Sequence, residues 1–315
     1  MSRLSKPTTY PLHKNRNLES WDNVSVAMTQ PQASNFDKIS PTAFMATLAR
    51  QFTDIPYAKE LAQLVEAQKL LDLSLPQNQD IPVGATVHVE ARYKAIKRVM
   101  AQYQTAQVLE LASGLLPRGL FMSGDPNITF IESDLPAMIR CKQQLVQQLN
   151  GSRPNLHFLE IDATNPSQFL QSADYLKAGQ PVVILCEGLL VYLTQAEKQQ
   201  VCANVREMLY SYGSVWITCD FTPIAGLNQS LEDDPAFQKR VQTIINLTGR
   251  SADAHFQTLD QARQFACEQG FRVAEHSMLD VMDQLSCLDI LNIDAEVARK
   301  MLATQSVFAL TLDAA

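Results

Sequence analysis

From about residue 105 onward, short apolar runs rich in β-formers alternate with amphipathic helical stretches, and this alternation restricts the fold more than any single residue does. The runs are QVLELA (107–112), ITFIES (128–133), LHFLEID (156–162), VVILCEG (182–188) and VWITCDF (215–221). Between them lie LPAMIRCKQQLVQQL, NPSQFLQSADYL and TQAEKQQVCANVREMLY, with apolar residues three and four apart. Strand–helix alternation at this interval makes βαβ units, and hence an α/β fold with a parallel sheet. FRVAEH (271–276) and SVFALTL (306–312) add two strands at the end. Upstream the pattern is helical: Ser40-Pro41 starts a helix through AFMATLARQF, AKELAQLVEAQKLLDL (58–73) gives a second, and residues 88–103 a third. The expected organisation is a disordered tail over 1–22, a helical cap over 23–87 and the α/β domain over 88–315.

Charge and cysteines narrow the partners. The formal net charge is −7, against the basic surplus usual in nucleic-acid binders. Six scattered cysteines include no CxxC pair, so neither a zinc site nor a disulfide framework is expected. No run approaches the roughly 18 apolar residues of a membrane helix, and the first residues lack the apolar core of a signal peptide. The expectation is a cytoplasmic protein that uses no metal, nucleic acid or membrane, with its oligomeric state open.

In such a sheet ligands bind beyond the carboxyl ends of the strands. The first strand leads through Glu110, an expected cofactor contact, into Ala112-Ser113-Gly114, where glycine permits a tight turn and close approach of backbone to a ligand. Ala112 and Pro117 replace two glycines of a dinucleotide fingerprint, which disfavours NAD. Glu132 lies 18 residues past Gly114, at the interval where nucleoside-binding folds place an acid for ribose hydroxyls. Asp134 either shares that role or caps the helix at Leu135-Pro136. Asp162, with the amide of Ala163, suits an adenine edge or else caps the helix near Pro166. Glu187 follows VVILC, where a carboxylate beside a core is costly unless used.

VLELASGLLPRGL, FIESDLPAMIRCK, FLEIDATN and LCEGLLVYLT, in this order, resemble successive motifs of the leucine carboxyl methyltransferase family, which includes polyketide-pathway O-methyltransferases. ISPTAFMATLARQFTDIP and ARYKAI resemble its cap and cofactor clamp, so the likeness spans about residues 35–220. It implies a Rossmann-like class I methyltransferase sheet, mostly parallel with an antiparallel last strand, under an N-terminal helical cap. It also implies S-adenosylmethionine as cofactor, yielding S-adenosylhomocysteine. The resemblance puts the cofactor carboxylate on Arg92, its methionine part by Gly114, ribose near Glu132 and Asp134, and adenine near Asp162. Glu187 would face the amino group, with Lys38 a further contact. Arg92 suits a carboxylate on its own chemistry too, as a guanidinium pairs with one bidentately.

The acceptor is expected to be a carboxylate or hydroxyl of a small molecule in specialised metabolism. Alternatives are the C-terminal carboxylate of a protein, or a nucleoside-binding protein without activity. An ionised carboxylate needs no general base, whereas a hydroxyl does. His88, His157, His255 and His276 are lone histidines that read as structural, His255 being the best candidate base of them. Tyr192 is placed either to orient an acceptor or to pack. Phe36, Arg50 and Tyr57 from the cap, with Phe221 and Asn228 after the fifth strand, are the expected acceptor contacts. Phe44 and Met45 read as helix–helix core.

Overall fold

The computed structural model describes residues 41–65, 83–104, 106–221 and 256–313. The tail over 1–22, Phe36, Lys38, Asn228 and His255 lie outside these residues. The described residues all fall in one compact unit. Two helices, α1 (Pro41–Arg50) and α2 (Ala58–Val65), precede the long α3 (Val83–Met100). Then follow β1 (Gln107–Leu111), α4 (Arg118–Met122), β2 (Thr129–Asp134), α5 (Pro136–Asn150), β3 (Leu156–Glu160), α6 (Pro166–Leu170), β4 (Val182–Cys186), α7 (Gln195–Tyr212) and β5 (Ser214–Thr218). After the undescribed stretch come α8 (Leu259–Glu268), β6 (Arg272–Ser277), α9 (Cys287–Ile290), α10 (Ala295–Leu302) and β7 (Ser306–Thr311). The expected boundary at 87/88 falls inside α3.

All seven expected strands form one sheet in the order β3-β2-β1-β4-β5-β7-β6. β7 runs antiparallel to both its neighbours, and the five strands from β3 to β5 are parallel. Central strands covered on both faces read as continuous apolar runs. QVLEL in β1 and VVILC in β4 are accordingly buried throughout. The edge strands β3 and β6 carry His157, Glu160, Arg272 and Glu275, polar groups that an edge tolerates and that discourage further pairing.

Alternate strand residues feed two cores. Val108, Phe130, Val183 and Val215 pack with Val87, Ala91 and Ile96 of α3 on one face. Leu109, Ile131, Ile184 and Trp216 pack with Val201 and Val205 of α7 and Phe265 of α8 on the other. A smaller cluster joins Phe44, Leu61 and Val65 of the cap to Leu115, Met138 and Leu145, so Phe44 is core as expected. The cap helices thereby rest on α5 and the loop after β1. β1 and β4 are adjacent, with β2 and β3 on one side and β5 on the other, so chain order reverses at β1/β4 and a crevice opens at their carboxyl ends.

Among the described residues no helix is long and apolar enough to cross a membrane. No disulfide joins the six cysteines.

Candidate active site

The loop after β1 and the end of β2 are built as one piece. Ala112 and Gly114 both take left-handed backbone, at φ 48° and 49°. That conformation suits glycine and strains alanine. Asp134 closes the loop: its Oδ2 accepts from the Gly114 amide at 2.7 Å and its Oδ1 from the Leu135 amide at 2.7 Å. The Ser113 amide donates to the Ser133 carbonyl at 2.9 Å. β2 thus ends at Asp134, one residue later than the apolar run and two past Glu132, and this corrects the expectation for Glu132. Glu132 points into the interior, fully enclosed, in an ion pair with Lys142 of α5. Its carboxylate fills the place where Gly119 of α4 lacks a side chain. It is a strut between two helices and not an open ribose ligand.

Burial, outweighing Lys142, raises the Glu132 carboxyl to about 7. A carboxyl that binds its proton more tightly folded than unfolded stabilises fully below its unfolded value, and that contribution is lost as pH rises through about 7. Urea midpoints of the wild type should therefore fall from pH 5 to pH 8 relative to those of Glu132→Gln. Parallel profiles would show that the pair with Lys142 keeps the carboxylate ionised throughout.

The centre of the crevice is a buried charged cluster. Glu187, just past β4, meets Arg118 Nη2 of α4 at 3.0 Å, Arg50 Nη2 of α1 at 3.3 Å and Arg92 Nε of α3 at 3.7 Å. Arg118 also pairs with Glu110 of β1, and its guanidinium stands 4.8 Å from the centre of the Tyr93 ring. Burial alone would raise the Glu187 carboxyl, but Arg118, then Arg92 and Arg50, hold it below the usual carboxylate range. Glu110 was expected at the cofactor; instead its side chain is wholly enclosed on Arg118, because this β1 position faces the helix-covered core. Arg50 was expected to meet the acceptor; it turns inward to Glu187 and is 5% exposed. Three guanidiniums meet the two carboxylates of Glu110 and Glu187, and a third carboxylate, Asp220, acts on Arg92 from a greater distance. Arg50 Nε and Arg92 Nε are enclosed without a hydrogen-bond partner.

The loops around the cluster are tied from several elements. Asp220, after β5, accepts from three consecutive amides, Gly188, Leu189 and Leu190, at 2.6, 2.7 and 2.9 Å. Asp162 Oδ1 accepts from the amide and hydroxyl of Thr164 at 2.9 and 2.7 Å. The cap of α6 is Asn165, so Asp162 does not fill that role. The Ala163 carbonyl accepts from Asn204 at 2.8 Å. Tyr192 bonds to Thr42 of α1, and burial raises its hydroxyl above the ordinary range, so it stays protonated. Tyr57 packs partly buried against the helix-side core. Phe221 corrects another expectation: fully buried, it sits 5.6 Å from the rings of Phe256 and Phe308 and 5.8 Å from Trp216, part of an aromatic core and not a pocket wall.

A sequence model of the leucine carboxyl methyltransferase family matches residues 38–206. The chain belongs to this family. No curated protein matches it significantly. Its fold is shared with a DUF574 family protein of Streptomyces avermitilis, at 16% identity and TM-score 0.54 over 86% of this chain and 97% of that one. A protein of Thermobifida fusca assigned as a methyltransferase is similar at 16% identity and TM-score 0.53, covering 91% and 99%. The protein is thus a methyltransferase of the class I fold, and its cofactor is S-adenosylmethionine. The residues present fit that group. Its methionine end carries a carboxylate and an ammonium, and the crevice offers guanidinium nitrogens without a hydrogen-bond partner beside the Glu187 carboxylate.

Arg118, Lys142 and Asp220 carry the site's geometry without having been singled out in the sequence. Arg118 lies within the family motif LLPRGL, and its neighbour Gly119 was the available signal.

Proposed function

We propose that the protein is an O-methyltransferase that acts on a carboxylate or hydroxyl of a small molecule, in specialised metabolism. The observation that carries this reading is the Arg50–Glu187–Arg118–Arg92 cluster at the carboxyl ends of β1 and β4. In this reading Arg92 holds the cofactor carboxylate and Glu187 its ammonium. The Gly114 turn lies along the methionine, Asp134 takes the ribose hydroxyls, and Asp162 with Ala163 flanks adenine. When bound, the cofactor supplies a methyl group on a sulfonium. The protein's own part is to align the acceptor with that methyl and to exclude water. An enclosed acceptor fits the way α1 is fastened over the crevice, by Arg50 to Glu187 and by Thr42 to Tyr192. A protein C-terminus would need a groove open along that side.

Calorimetry tests the reading first. S-adenosylmethionine and S-adenosylhomocysteine should bind at micromolar levels, and Asp134→Ala should weaken both by about 1–3 kcal/mol, the usual cost of removing a charged hydrogen-bond partner. Arg92→Lys should also weaken both, because lysine keeps the charge but not the planar fork. Heat with NAD and none with either sulfur compound would end this reading.

A further inference from the structure

α3 ends shortly before β1, and its first turns stand toward the carboxyl edge of the sheet. Arg92 marks the level of that edge, since its Nε is 3.7 Å from Glu187. His88 lies four residues earlier, on the same helix face and about 6 Å further out. Arg92 has Glu187 and Tyr192 as electrostatic neighbours from the β4 side and Cys219 and Asp220 from the β5 side, of which Glu187 and Asp220 carry charge. The stripe shared by His88 and Arg92 therefore looks over the crevice. The other described histidines are elsewhere: His157 packs on Tyr175 at 4.8 Å on edge strand β3, and His276 lies on the outermost strand, β6. The Nε2 atoms of His88 and His276 are both enclosed without a hydrogen bond, and of the two His88 is the one beside Arg92 and the charged cluster. A polar atom so placed is costly unless a further group meets it.

We propose that His88 is a catalytic residue whose Nε2 accepts the proton of a hydroxyl acceptor, so that the substrate class is an alcohol or phenol and not a carboxylate. This rests on the O-methyltransferase reading above. The acceptor oxygen uses a lone pair to bond the methyl carbon, and the methyl–sulfur bond breaks with its electron pair passing to sulfur. The O–H proton goes to Nε2 and is released to solvent when the products leave and water enters, leaving a methyl ether and a thioether. A neutral imidazole is required at the start. Burial, and then Arg92, lower His88 to about 4, so the ring is uncharged at neutral pH. So weak a base best serves an acidic hydroxyl such as a phenol. A carboxylate acceptor, already ionised, would give this nitrogen nothing to do.

The test uses the full chain and a panel of phenols, alcohols and carboxylic acids, with S-adenosylhomocysteine formation as the first readout. Hydroxyl members should be methylated and carboxylic acids not. His88→Gln should lower kcat about 10²- to 10⁴-fold while the KM for S-adenosylmethionine stays put. The loss should shrink for nitrophenols, which are already ionised. The second readout is imidazole ¹⁵N resonances of the protein with S-adenosylhomocysteine. The His88 signal, identified by its loss in the variant, should move when a methylated phenol is added and stay still with benzoate. His88→Asn is the replacement should melting show that the glutamine variant is unfolded. Phenol methylation at the wild-type rate in the variant, or methylation of carboxylic acids alone, overturns the role of His88 and leaves O-methylation standing. Methylation of neither class overturns the O-methyltransferase reading and this proposal with it.

Discussion

Glu187→Gln should cost the fold about 3–5 kcal/mol, the usual penalty for removing one partner of a buried ion pair, and lower the melting temperature by roughly 10 °C. The reason is charge count. The native cluster sets Arg50, Arg92 and Arg118 against Glu110 and Glu187; the variant leaves three guanidiniums facing one carboxylate, with almost no water around Arg50 and Arg118 and only partial access at Arg92, whose side chain is 30% exposed. A second substitution separates this from lost packing. Arg50→Gln removes one positive charge, so the double variant Arg50→Gln/Glu187→Gln restores the native net charge of the cluster and should melt above Glu187→Gln alone. Such a reversal is the mark of a direct interaction between neighbours. A loss under about 1 kcal/mol in the single variant, or additive losses in the double, would mean that water reaches the cluster and that burial does not set its energetics.

Gly119→Ala should destabilise by about 1–3 kcal/mol, the range for overpacking a filled core, although alanine ordinarily favours a helix over glycine by up to about 1 kcal/mol. A methyl group on residue 119 would come within 2.7 Å of Glu132 Cδ and 2.8 Å of its Cγ, and would strike Oε1 as well. None of these atoms can retreat, because Lys142 holds the carboxylate and both side chains are fully buried. The background Glu132→Ala/Lys142→Met removes the obstacle and both charges together. There the same Gly119→Ala change should be harmless or mildly stabilising. Urea denaturation of the four proteins measures this, and an equal cost in both backgrounds would place the collision elsewhere.

The sheet was legible because its central strands cannot be mistaken: VVILC and QVLEL are apolar on both faces for a structural reason, and all seven runs became strands. The helices between them followed from spacing, with Asn165 and Thr194 capping two of them. The acids were harder. Glu110, Glu132 and Glu187 each follow or end an apolar run, and local pattern cannot tell a carboxylate turned to a ligand from one turned to a buried cation. Arg118 and Lys142 make that distinction, and the fit of Glu132 against Gly119 is a contact between two side-chain spaces that no local spacing encodes. Phe221 was misread for a similar reason. Its partners at 256, 265 and 308 come from far along the chain, so its neighbourhood exists only after folding.

Asp220 lies beyond the stretch that matches the family model, which stops at residue 206. Yet it binds three amides 30 to 32 positions earlier, immediately after Glu187. A polypeptide emerging during synthesis would have every acid and arginine of the charged cluster in hand before the group that fastens the β4 turn exists. A transplant of the recognisable motifs into another sheet would inherit the same deficit: the chemistry would travel and its anchorage would stay behind.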